Sequence, residues 1–332
     1  MTPAAGTVER GTARQRSRAR LVAGVFRLLT LLPEGPVDAL GNLAGVVWYR
    51  AAPARASLAR RNLRRVVRYL SEQGLGDDAV RAAAVDGNAL ERLVREAFRE
   101  NVRYYVDLAR LPRRKPADVE RLLNVETPDV VTRAFEHDAP VILSAMHFGE
   151  IEFPAMLAVA RSGRALRAPM ETLDDPALQE WIRRTRSSVG VEVVPLRNAR
   201  RSLLEALADG RSVGVVSDRN VAGGTLEVPF FGAPAPLPMG PALLAVESGR
   251  PLYLAAVRRI AGHRYSGSLV AIPVPADGSR RERVEAALRG LVAEMERAIA
   301  VAPAQWWALL SPIWPDLDPR AATGTGHLEN AA

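Results

Sequence analysis

Beyond residue 140 the chain alternates between short aliphatic runs and longer amphipathic ones, a rhythm that few architectures accommodate. Val141–Ala145, Leu166–Met170, Val191–Pro195 and Val213–Ser217 read as strands, and Ile151–Arg161, Pro176–Val189 and Ala199–Ala208 between them read as helices. Strands joined through helices become parallel neighbours, and the helices then cover both faces of the sheet. Two longer strands follow, Leu252–Ile260 and Tyr265–Pro273, expected as an antiparallel pair closing the sheet edge, before a last helix from Arg280 to Val301. The expected fold class is α/β, a mostly parallel central sheet flanked by helices, with an N-terminal helical region.

That N-terminal part has a different texture. Residues 1–14 are small, polar and aperiodic, the composition of a disordered terminus. From Arg16 to Leu111 the pattern is helical, broken at Pro33, Gly35-Pro36 and Pro53. Asp86–Leu111 reads as one helix with Leu90, Leu93, Val94, Ala97, Phe98, Val102 and Tyr105 along one side. Pro112-Arg-Arg-Lys-Pro116 breaks the pattern. The expected organisation is a disordered start (1–14), a helical membrane-association region (15–111), an α/β core (112–318) and a disordered tail (319–332).

Charge is concentrated at the same end. The formal net charge is +8, Lys115 is the single lysine, and thirteen arginines face three acidic residues within the first seventy positions. Such a segment attracts either nucleic acid or an anionic membrane leaflet. Trp48, Tyr49 and Tyr69 are too few to stack bases among these arginines, and no nucleic-acid-binding module is apparent. Anionic membrane lipid is therefore the expected partner and nucleic acid is not. The most apolar early stretch, Leu21–Leu32, contains Arg27 and ends at Pro33, well short of the roughly 20 apolar residues a membrane span needs. Its Leu21, Val25, Leu28, Leu29 and Leu32 share a helical face, which suits a helix lying in the membrane interface or one docked on the protein's own core.

The chain has no cysteine and four histidines, which removes thiolate chemistry and Cys-ligated metals and makes a His-rich metal site a poor fit. No G-x-S-x-G elbow, P-loop, dinucleotide fingerprint or H-E-x-x-H appears. Chemistry falls to histidine, carboxylates, hydroxyls and arginine, with no metal and no cofactor expected.

In open α/β sheets ligands bind beyond the carboxyl ends of the strands. One such end is Leu143-Ser-Ala-Met-His147-Phe-Gly-Glu-Ile-Glu152, where a strand delivers His147 to the rim, Gly149 permits a turn and a helix begins. A carboxylate in that first helical turn, Glu152 by spacing or Glu150 as the weaker choice, can hold one imidazole tautomer. A histidine at a strand end is also compatible with plain packing, and His137, His263 and His327 are read that way. The second end is Val213-Gly-Val-Val-Ser-Asp218-Arg219-Asn220. Asp218 suits contact with an acceptor or positioning of the base, Arg219 suits phosphate, and a solvated loop with an internal salt bridge fits equally well.

The spacing His147-x4-Glu152 at the end of an apolar strand resembles the His-x4-acid motif of the lysophospholipid acyltransferase superfamily. More closely, the chain resembles its bacterial lipid A lauroyl acyltransferase and phosphatidylinositol mannoside acyltransferase branch. Further segments match in order: Arg60-Arg61-Asn62-Leu63, Met170-Glu171, Arg186 through Leu196, Asp218-Arg219-Asn220, Pro229-Phe-Phe-Gly232, Pro238 through Leu243 and Gln305-Trp-Trp through Trp314. Glu152 and Asn220 stand where the family usually has Asp.

The resemblance implies a glycerol-3-phosphate acyltransferase-like fold. It also implies acyl transfer from acyl-CoA or acyl-carrier protein to a hydroxyl of a membrane glycolipid such as a phosphatidylinositol mannoside. His147 would be the general base with Glu152 orienting it, Asp218 and Glu171 would line the polar site, and Arg186 would meet a lipid phosphate or the donor's anionic groups. The expected location is peripheral, on the cytoplasmic face of the membrane. A lysophospholipid acceptor, or a non-catalytic lipid-binding protein on the same fold, are the alternatives.

Overall fold

The computed structural model describes residues 34–318 except 137–138, 198, 222 and 261–263, together with positions 17 and 24. The Leu21–Leu32 face and the two ends expected to be disordered lie outside the described residues, as do His137, His263 and His327.

Four helices come first: α1 (Glu34–Ala51), α2 (Pro53–Glu72), α3 (Asp78–Val85) and α4 (Gly87–Arg110). Their boundaries follow local chemistry. Pro53 sits in the first turn of α2, where its missing N–H costs nothing, and the Asp77 and Asp86 carboxylates cap the free N–H groups of α3 and α4. On α4 the buried side is formed by Leu90, Val94, Ala97, Phe98, Tyr104 and Leu108. Tyr105 departs from the periodic reading: it is 41% exposed, because the helix turns its neighbour Tyr104 inward instead.

The sheet has seven strands in the order β1-β9-β8-β2-β5-β3-β4. These are β1 (Leu123–Val125), β2 (Ile142–Ala145), β3 (Leu166–Met170), β4 (Val191–Pro195), β5 (Val213–Val216), β8 (Leu252–Arg259) and β9 (Tyr265–Ile272). β8, β2, β5, β3 and β4 run parallel; β9 pairs antiparallel with β8 over eight residues, and β1 joins β9 in parallel. The α/β fold read from the alternation is the fold present. The antiparallel pair does not close the sheet, however. β8 lies inside it against β2, and the edge is the three-residue β1.

Helices α5 (Val119–Leu122), α6 (Pro128–Phe135), α7 (Glu152–Ser162), α8 (Pro176–Ser187), α9 (Ala199–Ala208), α10 (Gly240–Ser248) and α11 (Arg280–Val301) complete the flanking layers. A separate hairpin pairs β6 (Thr225–Phe230) with β7 (Ala233–Pro238). Its two turn residues, Phe231 and Gly232, both have positive φ, the turn that matches the natural twist of two strands. Two apolar clusters lie on opposite faces of the sheet: Ile142 of β2 belongs to one and the adjacent Leu143 to the other. The first cluster continues into α2, α3 and α4, so the N-terminal helices share the core of the sheet.

Candidate active site

Three neighbouring strands, β2, β5 and β3, carry polar residues out of their carboxyl ends. β2 and β5 are in register up to Ala145 and Val216, and the Ser217 N–H donates to the Ala145 carbonyl at 3.0 Å. Just below the rim the buried hydroxyls of Ser144 and Ser217 meet at 2.7 Å. One step further the pairing passes to side chains. His147 Nδ1 lies 2.7 Å from Asp218 Oδ1, and the His147 backbone N–H donates to Asp218 Oδ2 at 2.8 Å. The Trp306 indole N–H donates to the same Oδ2 at 2.8 Å.

Asp218 is fully buried. Burial alone would push its carboxyl up, but the His147 ring and the donors around it hold it below the ordinary carboxylate value. An ionised Asp218 takes the Nδ1 proton as acceptor, which leaves Nε2 as the imidazole's basic atom. Trp307 stands edge-to-face against the His147 ring at 4.6 Å, and its backbone N–H donates to the His147 carbonyl at 2.9 Å.

The turn after His147 needs glycine. Gly149 has φ +52°, and a Cβ there would collide with the Val257 carbonyl oxygen. Its N–H donates to the Gln305 carbonyl at 3.0 Å, while the Gln305 side chain both donates to and accepts from the Arg259 backbone at 2.8 Å. The loop is thereby fastened to β8 on one side and to the Gln305–Trp307 segment on the other.

The sequence-predicted residues divide into two groups. His147 and Asp218 meet directly. Glu171, at the end of β3, accepts from Arg219 Nη2 at 2.8 Å, and Arg219 Nη1 donates to Ser311 Oγ at 3.3 Å. Glu152 does not hold the His147 ring, which corrects the role read from its spacing. It opens α7 almost fully buried and accepts from Arg186 Nε at 2.9 Å and from the Tyr104 hydroxyl at 3.3 Å. Arg186, expected to meet phosphate, is therefore already paired. Burial opposes its charge, but Glu152 and Tyr104 keep it protonated. The helix that starts at Glu152 carries that carboxylate toward α8, whereas Asp218 lies two residues past the end of β5, the strand next to β2.

Glu150 is also buried, and neither carboxylate oxygen has a hydrogen-bond partner. Desolvation, with Asp107 nearby, raises its pKa well above the ordinary value. Four aromatic residues near the site were not among the candidate site residues read from the sequence: Tyr104, Tyr105, Trp306 and Trp307. The two tryptophans fall in a segment already conspicuous for its composition, but nothing in one dimension brings them beside His147. Among the described residues no three His, Asp or Glu side chains converge as metal ligands.

Comparison with known proteins identifies the family. The sequence pattern described as bacterial lipid A biosynthesis acyltransferase matches residues 12–314. The chain is 28% identical over 235 residues to a phosphatidylinositol mannoside acyltransferase of Mycolicibacterium smegmatis, covering 70% of this chain and 71% of that protein. It is 31% identical over 156 residues to one from Mycobacterium tuberculosis, covering 45% and 49%. With most of its length matched, the chain belongs to the bacterial lipid A biosynthesis acyltransferase family.

Proposed function

We propose that the protein transfers a fatty acyl group from a thioester, acyl-CoA or acyl-carrier protein, to a hydroxyl of a mannosylated phosphatidylinositol or a closely similar glycolipid. The observation that carries this reading is the 2.7 Å contact between His147 Nδ1 and the buried Asp218 carboxylate at the sheet rim. The names of the relatives support the acceptor class.

With Nδ1–H held by Asp218, Nε2 takes the proton of the acceptor hydroxyl. The hydroxyl oxygen attacks the thioester carbonyl, a C–O bond forms, the C–S bond breaks, and the departing thiolate recovers the proton from Nε2. Asp218 stabilises the imidazolium between those two transfers and acts as a positioning residue. General-base help of this kind is worth ~10²–10⁴-fold in rate. Glu171 and Arg219 form the polar rim where the acceptor enters. Glu152 and Arg186 brace the start of α7 beside the His147 turn.

A narrow apolar cleft of about 20 Å³, room for little more than one water, lies between the sheet and helices α6 and α7, with Leu143, Leu157, Val257 and Leu269 in its walls. Val257 accepts the Glu150 N–H, so the cleft begins one layer beneath the His147 loop.

Among the described residues no helix is long and apolar enough to cross a membrane. The α1 helix instead exposes Leu40, Leu43 and Val47 on one face, at 47%, 60% and 56% exposure. Together with the arginine-rich segment preceding residue 70, this suits peripheral docking on the anionic cytoplasmic leaflet, where each basic side chain contributes ~1 kcal/mol.

Radiolabelled acyl-CoA and acyl-carrier protein, offered with a panel of mannosylated phosphoinositides and lysophospholipids, test the proposal. Acylation of a mannosylated lipid that is lost in His147→Ala supports it. Acylation of lysophospholipid alone would move the acceptor, and equal background in both proteins would reject catalysis.

A further inference from the structure

A rank of aromatic rings runs from the base to the protein surface. Trp307 meets His147 at 4.6 Å, Tyr104 stacks on Trp307 at 4.6 Å with the planes 26° apart, and Tyr105 meets Tyr104 at 5.3 Å. Trp307 and Tyr104 are largely covered. Tyr105 ends the rank with 41% of its surface exposed, although an aromatic ring gains most by being buried. Burial has the largest influence on its hydroxyl and raises its pKa, and Arg219, Arg55, Glu171 and Arg186 are near enough to act on it electrostatically, so the ring's exposed part lies in a charged neighbourhood.

The polar groups beside it select the ligand. The Arg219–Glu171 pair is half-buried, with side-chain exposures of 24% and 38%, and the buried Arg219 Nε has no partner. A phosphate offers only acceptors and would be repelled by the Glu171 carboxylate. A pyranose ring offers hydroxyls that both donate and accept, which match a carboxylate and a guanidinium side by side, and an apolar C–H face that lies flat on an aromatic ring.

We propose that Tyr105 is the stacking platform for a hexose ring of the glycolipid acceptor, with Glu171 and Arg219 taking that ring's hydroxyls. This rests on the acyl-transfer reading above and adds to it a residue that selects the acceptor. A lipid without a sugar leaves the platform empty.

Saturation-transfer NMR with methyl α-mannopyranoside, on wild type, Tyr105→Ala and Tyr105→Trp, tests the platform without requiring turnover. Acceptor and donor KM for the same three proteins give the second readout. The wild type and Tyr105→Trp should show ring-proton saturation that Tyr105→Ala lacks. Tyr105→Ala should also raise the acceptor KM about tenfold relative to the donor KM, the size expected for loss of one aromatic contact. Because the ring also packs edge-on against Tyr104, Tyr105→Ala should melt a few degrees lower yet stay fully folded at the assay temperature, and Tyr105→Trp should melt close to wild type. No saturation in the wild type, or equal saturation in Tyr105→Ala, would overturn the proposal. So would a rise confined to the donor KM, which would put the donor's nucleotide on the ring. Failure of His147→Ala to abolish transfer would instead remove the acyl-transfer reading, and the sugar-binding result would stand apart from it.

Discussion

Asp218, which meets the His147 ring, and Glu150, on the turn after it, are both buried carboxyl groups, yet their surroundings treat them oppositely. Asp218 accepts from the His147 ring, its backbone N–H and Trp306, and stays ionised although buried. Removing only the indole donor tests that wiring: Trp306→Phe should keep the fold and lower kcat several-fold to tenfold, with both KM values little changed, because Asp218 then loses one anchor. Unchanged kcat would mean that the indole serves packing alone. Glu150 has no such donors, and its folded-state pKa is raised by desolvation, with Asp107, Arg114, Glu152 and Arg259 also acting on it. A carboxyl raised on folding favours the folded state below its unfolded pKa, and that contribution is lost as pH rises toward and through the raised value. Glu150→Gln should therefore raise the melting temperature at pH 7–8 and lose that advantage near pH 4.5. A melting curve with the same pH dependence in both proteins would contradict it.

Helix α1 shows what an element can do that a residue cannot. Leu40, Leu43 and Val47 recur on one exposed face, and Gly45 on the opposite face lets the backbone press against Arg99 of α4. Leu43→Glu with Val47→Glu should leave the thermal melt nearly unchanged and reduce flotation with anionic liposomes at least several-fold, while flotation equal to wild type would remove α1 from the docking surface. At this scale the sequence was most readable where strands are short aliphatic runs between helices: β3 and β4 have the predicted bounds, and β2, β5, β8 and β9 differ by a residue. The β6–β7 hairpin escaped because Pro229, Pro234, Pro236 and Pro238 argue against strand, yet prolines are tolerated in a two-stranded ribbon that has free edges. β1 escaped because three residues carry no period. The pairing of Glu152 was misread for a related reason: spacing along α7 puts a carboxylate near the His147 turn, but only the order of β2 and β5 in the sheet decides which acid reaches the ring.

Among the described residues, an early helix and a late segment of the chain are held together beside the site. Asn62, fully buried on α2, donates through Nδ2 to the carbonyls of Leu309 at 2.8 Å and Ser311 at 3.0 Å, and Arg61 reaches the Leu317 carbonyl at 3.2 Å. The C-terminal segment so held carries Trp306 and Trp307, while α4 carries Tyr104 and Tyr105. Asn62→Ala leaves two carbonyls unpaired and should cost about 1–3 kcal/mol in urea unfolding, against no measurable change if the contact is incidental. That convergence presents one imidazole, fixed at Nδ1 and free at Nε2, to the acceptor. The most direct test is the steady-state rate of acyl transfer by Asp218→Asn beside wild type and His147→Ala. Loss of the carboxylate's hold on the ring should lower kcat by about 10²-fold or more with both KM values nearly constant. A kcat close to wild type in a folded Asp218→Asn protein would contradict the account.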